Sequence, residues 1–199
     1  GLSAFSFTGL TSVIIPESVT SVNSSVFNNC DDLEHVTIPG SLTSFVGGIF
    51  YDCPKLTSAG PIGSGCSVEF GWINSIPESA FKTWTTLESV ILPESLSTIE
   101  AYAFANCGNL TSIELPEKVT SIGYQAFNNC RNLTSITFSN RMETIANGAF
   151  QYCDSLADVV YSGSEEDWAN MKIGIDNECL TNANIHFEEE GPEIIASGT

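Results

Sequence analysis

Apolar residues recur along this chain of 199 residues with a fixed period, in a unit that is repeated six times. The unit opens with a leucine, at Leu10, Leu33, Leu56, Leu87, Leu110, Leu133 and Leu156. A second column near the end of the unit holds Cys30, Cys53, Trp84, Cys107, Cys130 and Cys153. Both columns step by 23 residues, apart from one step of 31. Agreement between two columns indicates a repeat protein in which one unit carries an eight-residue insertion.

The spacing within one unit predicts how that unit folds. Apolar Ile113 and Leu115 alternate with polar neighbours, as in a strand with one buried face, and Pro116 then ends the strand because it lacks an N–H group. Residues 119–122 are rich in β-branched side chains and predict a second short strand or extended segment. Residues 126–130 combine small and large side chains and predict a tight turn of 3₁₀ type.

No single unit can bury its own apolar side chains, whereas stacked units can, so the pattern predicts a solenoid with one continuous core. The repeated motif, I-P-x-S-V-T-S-I-x-x-x-A-F-x-x-C-x-x-L-T-S-I, resembles the leucine-rich repeats of BspA-like (Treponema-type) bacterial surface proteins over residues 1–161. We therefore expect a right-handed superhelix of parallel strands, with short 3₁₀ or helical turns on its convex side. The resemblance also implies a secreted or surface-attached protein engaged in adhesion or recognition.

The repeat boundaries divide the chain into four parts. Residues 1–9 form a leading half-repeat, residues 10–161 form the repeat array with its insertion near residues 61–72, residues 162–187 form a C-terminal cap, and residues 188–199 form an acidic polar tail. The leading half-repeat follows no strand of its own. From this we expect the chain to be part of a longer protein.

The predicted cap begins with the signature of a helix N-terminus. Ser164 followed by Asp167 is a capping-box pattern, and the acidic residues after Ser164 are favourable at a helix N-terminus. The helix would place Trp168, Met171 and Ile175 over the end of the last repeat. We expect these side chains to seal the core.

Charge excludes several classes of partner. The chain has 6 Lys and Arg against 24 Asp and Glu, which gives a net charge of −18. Binding to nucleic acid or to an anionic membrane requires clustered cations. No apolar run reaches the roughly 18 residues of a transmembrane helix. We therefore expect no nucleic acid as a partner and no membrane insertion.

Of the seven cysteines, the five in the repeat column are interpreted as buried thiols rather than as a disulfide framework. Residues stacked in neighbouring units lie at least about 4.8 Å apart, whereas the Cβ atoms of a disulfide lie about 3.8 Å apart. Cys66 and Cys179 fall outside the column, and their state is left open. No C-x-x-C pair is present, so no zinc site, other metal site or cofactor is expected.

No catalytic signature appears in the sequence. Its two histidines are His35, on the outer face of a predicted strand, and His186, in the predicted cap. The sequence contains no motif of a catalytic nucleophile, of a phosphate-binding loop or of a nucleotide-binding site. Glu17, Glu94 and Glu117 follow the repeat, each one residue after a proline, as solvated turn residues would. The sequence predicts a protein that is not an enzyme.

The insertion supplies the first candidate binding residues, Phe70 and Trp72, which lie in a glycine-rich stretch. Trp84 occupies the cysteine column of the same repeat and is the third candidate. Exposed aromatic side chains on a loop are suited to binding proteins or sugars. The alternative is that the insertion folds down over the stack, with Trp84 in the core.

The outward face of the predicted strands supplies the other candidates, which are Ile14, His35, Ile91 and Glu114. Repeat proteins use such surfaces to bind partners. The alternative is that Ser and Thr, which dominate this face, simply suit an exposed strand.

These residues predict an extracellular or cell-surface recognition or adhesion module. We expect a monomer that binds a protein or glycan ligand, with a basic patch on the partner facing the acidic chain. The alternative function is a structural spacer, or stalk segment, of a larger surface protein. An exposed apolar patch over Ile14, Ile91, Phe70 and Trp72 would favour recognition, and a uniformly polar surface would favour the spacer.

Overall fold

A computed structural model gives the fold for most of the chain. The described residues are 3–16, 18–23, 25–37, 44–45, 50, 53–56, 58–60, 67–69, 74–85, 87–92 and 94–188. For residues 44–45, 58–60 and 67–69 the description covers the backbone.

The elements within these ranges are β1 (Ser12–Ile14), β2 (Ser21–Val22), β3 (His35–Thr37), β4 (Ser44–Phe45), β5 (Ser58–Gly60), β6 (Ser67–Glu69), β7 (Ser75–Ile76), β8 (Ser89–Ile91), β9 (Thr98–Ile99), β10 (Ser112–Glu114), β11 (Ser121–Ile122), β12 (Ser135–Ser139), β13 (Thr144–Ile145), β14 (Asp158–Ser162), α1 (Glu165–Asn170), β15 (Lys172–Ile173), α2 (Glu178–Thr181) and β16 (Asn184–Phe187).

The strands form two layers along a parallel β-solenoid, as the repeat predicts. The first layer contains the parallel ladders β1-β3-β5, β6-β8 and β10-β12-β14-β16, and contacts of β5 with β6 and of β8 with β10 join them. The second layer contains β2-β4 and β7-β9-β11-β13-β15. The register of the paired strands follows the 23-residue period of the sequence, since Ser112 pairs with Ser135 and Ser121 pairs with Thr144. The second short strand predicted in each unit is therefore confirmed.

The third side of each solenoid coil contains no strand. It consists of tight hydrogen-bonded turns. Within one unit the Cys107 N–H donates to the Phe104 carbonyl at 3.1 Å, which is the spacing of a 3₁₀ turn. Between units the Phe104 N–H donates to the Ala126 carbonyl at 2.7 Å. Tyr102 and Asn106 have φ values of 57° and 63°, in the left-handed region. Because these two residues are left-handed, the 3₁₀ turn between them does not continue as a helix.

A column of stacked phenylalanine rings runs through the core. The Phe104 and Phe127 rings lie 5.1 Å apart with an interplanar angle of 5°, and the Phe127 and Phe150 rings lie 5.2 Å apart at 9°. All three side chains are fully buried. Such pairs contribute about 0.5–1.5 kcal/mol each beyond the burial of their area.

The cysteine column lies beside the phenylalanines and forms hydrogen bonds with their backbone carbonyls. The Cys107, Cys130 and Cys153 thiols each donate a hydrogen bond of 3.1 Å to a phenylalanine carbonyl of the preceding turn. The described cysteines are thiols and form no disulfide with one another. Burial raises the pKa of these three thiols well above its ordinary value. Cys66 lies outside the described residues.

The insertion adds a strand to one layer. β6 pairs in parallel with β8 and contacts β5, so it occupies its own position in the first layer. In the phenylalanine column, Phe50 and Phe81 are direct neighbours with ring centroids 6.5 Å apart. Trp84 fills the wider space between them, 5.7 Å from Phe50 and 5.9 Å from Phe81.

The last repeat is covered by α1 and the segment that follows it. The predicted capping box is present: the Ser164 hydroxyl accepts from the Asp167 N–H, and the Asp167 carboxylate accepts from the Ser164 N–H. Hydrogen bonds from Ser164 lower the pKa of Asp167. The Trp168 ring packs 5.4 Å from Tyr161 and thus covers the core. The expectation for Ile175 was wrong, because that side chain is 71% exposed.

Asn177 completes the hydrogen bonding at this end. Its side-chain oxygen accepts from the Phe150 N–H at 2.9 Å, and its amide donates to the Ala146 carbonyl at 3.0 Å. In the preceding turn the Phe127 N–H donates to the backbone carbonyl of Ala149. The buried Asn177 side chain therefore replaces the backbone of a further turn.

Neither α1 nor α2, the helices of the described ranges, has the length and hydropathy needed to cross a membrane.

Replacing one ring of the phenylalanine column tests the core. We expect Phe127→Ala to lower the free energy of unfolding by about 3–5 kcal/mol, because it removes a fully buried ring and leaves a cavity. Urea denaturation followed by circular dichroism measures this change. Tyr152→Ala is the control, since Tyr152 is 55% exposed on the following turn. An unchanged midpoint for Phe127→Ala would contradict the stacked core.

The buried thiols predict a loss of stability in alkali. A thiol whose pKa is raised by folding stabilises the protein fully below the unfolded pKa of about 8.5, and this contribution declines as the pH rises further. Above pH 8.5, each buried thiol should therefore lower the free energy of unfolding by about 1.4 kcal/mol for each further pH unit.

Cys130→Ser keeps a hydrogen-bond donor and removes the titration. Urea denaturation between pH 8 and 10 should therefore show a shallower decline for Cys130→Ser than for the unchanged protein. Equal slopes would mean that Cys130 is not buried as a neutral thiol.

Candidate functional site

The outward-facing side chains of the first layer form a surface that is called the strand face below. Its described members comprise one row with Ser12, His35, Ser89, Ser112, Ser135, Asp158 and Asn184, and a second row with Ile14, Thr37, Ile91, Glu114, Thr137, Val160 and His186. Residues between the two rows, such as Val90 and Ile113, point into the core and are buried. The alternation of each strand thus builds the strand face.

Two isoleucines stand out on this face because their side chains are exposed. Ile14 is 74% exposed and Ile91 is 58% exposed. Strands β3, β5 and β6 lie between them, so four strand steps of about 4.8 Å separate the two side chains. Ile14 and Ile91 therefore do not contact each other.

The register brings two predicted site residues together. Ile91 ends β8 and Glu114 ends β10, and both line one groove of about 400 Å³. Leu115 and Pro116 line the groove with Ile91, and Glu94 and Glu117 line it with Glu114. The groove, called the Ile91–Glu114 groove below, thus combines an apolar wall with three carboxylates. Its volume lies within the range of about 300–1,000 Å³ that is usual for ligand sites.

The groove is acidic, and few positive charges balance its carboxylates. Arg141 pairs with Glu117 at 3.2 Å, and both side chains are exposed. Among the ion pairs of the described residues, none includes Glu94 or Glu114. The strands β1, β3, β5, β6, β8, β10, β12, β14 and β16 contain no Lys or Arg. The field at the groove is therefore negative and attracts cations.

The histidines lie on the same face. His35 is exposed on β3, next to Ser12 of β1. The His186 ring lies 2.8 Å from an Asp158 carboxylate oxygen across β14 and β16. Over the described ranges, no three His, Cys, Asp or Glu side chains cluster as metal ligands. What the strand face offers chemically is hydrogen bonding, charge and apolar contact.

The aromatic candidates divide into two groups. Phe70 and Trp72 lie outside the described residues. Trp84 is fully buried, and its indole N–H donates to the Leu56 carbonyl. Its burial removes Trp84 from the candidate binding residues.

Two residues of the groove were identified in the sequence but assigned no role in binding. Glu94 and Glu117 each follow a proline, and the repeat explains them as turn residues. The period also places residues 91 and 114 one unit apart, hence on neighbouring strands. Combining these two facts would have indicated the groove.

Comparisons with known proteins agree with the repeat. The family model described as the BspA type leucine rich repeat region matches residues 1–61 and 71–186, in six copies. The break between the two matched ranges falls in the insertion. No curated protein matches the chain.

Solved structures that are similar to this chain include bacterial leucine-rich repeat proteins. A leucine-rich repeat protein from Bacteroides ovatus is 30% identical, with a TM-score of 0.72, over 94% of this chain and 44% of that chain. This chain thus spans less than half the length of that relative. A leucine-rich repeat protein from Eubacterium ventriosum is 18% identical, with a TM-score of 0.54, over 87% of this chain and 56% of that one.

A third structure is a leucine rich cell surface protein from Faecalibacterium prausnitzii. It is 21% identical, with a TM-score of 0.50, over 82% of this chain and 62% of that chain. At this identity, it and the Eubacterium ventriosum structure establish the fold alone.

A pair of isoleucines tests which residues face outward. Ile91→Ala should change the free energy of unfolding by no more than about 0.5 kcal/mol, because the side chain is exposed. Ile113→Ala, on the neighbouring strand, should lower it by about 2–5 kcal/mol, because that side chain is buried. Urea denaturation of the two variants makes the comparison. Equal losses would place Ile91 in the core and remove it from the strand face.

Proposed function

Because this chain belongs to the bacterial family of BspA-type leucine-rich repeat proteins, we propose that it is a non-catalytic recognition module for a protein partner. The module acts as a monomer at the cell surface or outside the cell. It binds a basic segment of the partner along the strand face. The observation that carries this proposal is the Ile91–Glu114 groove.

The groove supplies two contributions to binding. Ile91 is an exposed apolar side chain that a partner would remove from water, at about 25 cal/mol for each Å² of apolar area. Glu94 and Glu114 would pair with Lys or Arg of the partner. Exposed pairs of this kind contribute about 0.2–1 kcal/mol each, so the apolar contact provides affinity and the charges provide orientation.

The net charge of the whole chain also favours a basic partner. A net charge of −18 attracts a basic partner over a distance of several ångströms. Lys and Arg are missing from the strands of the first layer, so a basic segment meets no like charge on the strand face. Salt should slow the association, because the Debye length falls to about 8 Å at physiological ionic strength.

The proposed surface location agrees with the description of one structure of the same fold. The similar protein from Faecalibacterium prausnitzii is described as a cell surface protein. An exposed recognition module and an adhesion role are both compatible with such a location.

A structural spacer is the second candidate function. The serines of the strand face favour it, since Ser89 and Ser112 present small polar side chains with little area for a partner. A spacer would bind nothing itself and would hold another domain at a distance.

Binding to immobilised extracellular-matrix proteins separates these functions. Surface plasmon resonance of the chain over such a panel should give at least one interaction whose association rate falls as NaCl increases from 50 to 500 mM. Silence across the whole panel, with the chain folded, would contradict recognition in favour of the spacer.

A charge variant tests the groove. Glu114→Gln should lower the association rate on the binding protein by about 2- to 5-fold, as loss of about 0.5–1 kcal/mol of attraction requires. Glu178→Gln is the matched control, because Glu178 is exposed in α2 of the cap. Equal rates for both variants would place the interaction elsewhere on the protein.

A further inference from the structure

A depression separate from the strand face lies across three turns of the second layer. Its volume is about 380 Å³, and it is lined by residues of β13 and β15, of the backbone after each strand, and by Tyr124. Its lining includes the small residues Ala146 and Gly174. Thr144, Asn147 and Lys172 add polar groups to the lining.

Tyr124 is held in place as one wall of this depression. Its ring lies 5.4 Å from the Tyr102 ring at an interplanar angle of 88°, on the side of the preceding turn. The Lys82 ammonium lies 4.6 Å from the Tyr102 ring centroid, so Tyr102 is packed on both sides. Tyr124 nevertheless stays 46% exposed. A ring that is packed yet exposed loses little entropy when it binds a ligand.

The backbone beneath Tyr124 requires glycine. A Cβ atom at Gly123 would lie 2.6 Å from the Ala101 nitrogen. The close approach of these two turns allows the Tyr102 N–H to donate to the Tyr124 carbonyl at 2.9 Å. Tyr124 is therefore fixed by its backbone as well as by its ring.

The polar groups are mostly donors. The Asn147 side-chain oxygen accepts from the Ile175 N–H at 3.2 Å, which leaves the NH₂ end of that amide for a ligand. Lys172 is exposed and takes part in none of the ion pairs of the described residues. Thr144 adds a hydroxyl group that can both donate and accept.

This combination matches the surface of a sugar. A pyranose ring has an apolar C–H face that packs on an aromatic ring, and an edge of hydroxyl groups that accept from amide and ammonium donors. A sugar carrying a carboxylate would be opposed by the net charge of −18, whereas a neutral sugar would not.

We propose that Tyr124, Thr144, Asn147 and Lys172 form a subsite for one neutral hexopyranose unit of a glycan. The sugar packs its C–H face against Tyr124. Its hydroxyl groups accept from Asn147 and Lys172 and share a hydrogen bond with Thr144. The subsite does not depend on the protein partner of the strand face, because none of its residues lines the Ile91–Glu114 groove.

Saturation-transfer difference NMR tests the subsite directly. The probes are the methyl pyranosides of glucose, galactose, mannose and N-acetylglucosamine, each titrated into the chain in the millimolar range. We expect saturation of the C–H protons of at least one probe. Tyr124→Ala should weaken its binding at least about tenfold, a loss of about 1.4 kcal/mol.

Three variants separate binding from folding. Tyr124→Phe keeps the ring and should keep the signal. Lys172→Met should weaken binding without changing the melting temperature, because the side chain is exposed. Tyr152→Ala removes an exposed tyrosine that does not line the depression, and should leave the signal unchanged.

Two results would overturn the subsite. One is the lack of a signal with every pyranoside for the folded, unchanged chain. The other is a signal that Tyr124→Ala and Tyr152→Ala retain equally, since the sugar would then bind somewhere else.

Discussion

Contact between one turn of the coil and the next holds this protein together. The Phe127 ring has its two faces covered by the rings of the neighbouring turns, and the N–H groups beside it donate to the following turn. No turn has an interior of its own. The register of these contacts also fixes the exterior, because a residue at a given place in the unit must lie beside its equivalent in the next. Ile91 and Glu114 share a groove for this reason.

The parts of the fold that follow from the period were predictable. The alternation around Ile113 predicted the first layer, residues 119–122 predicted the second, and Ser164 with Asp167 predicted the start of α1. Each signal is local, or is repeated from unit to unit. Left-handed residues such as Tyr102 and Gln125 were not predictable, because neither residue type favours that conformation. The stacking of neighbouring turns imposes it on them.

The candidate site was predictable only in part. Ile14, His35, Ile91 and Glu114 were correctly expected on the outer face, since strand alternation determines it. The position of Trp84 in the cysteine column allowed a place in the core, but its packing between Phe50 and Phe81 depends on contacts across two turns. Asn177 carries no repeat signal at all. Its role arises at the last repeat, where the Phe150 N–H donates to the Asn177 side chain instead of to a backbone carbonyl of a further turn. Tertiary contacts of this kind leave no periodic trace in a sequence.

The strand that the insertion adds has a geometric consequence for the whole array. Between β5 and β8 the first layer contains β6, whereas the phenylalanine column passes from Phe50 to Phe81 in one step. One side of the coil is therefore longer than the other, by about the 4.8 Å of a strand spacing. Residues of the strand face on opposite sides of β6 therefore lie one strand further apart than the 23-residue period alone would place them.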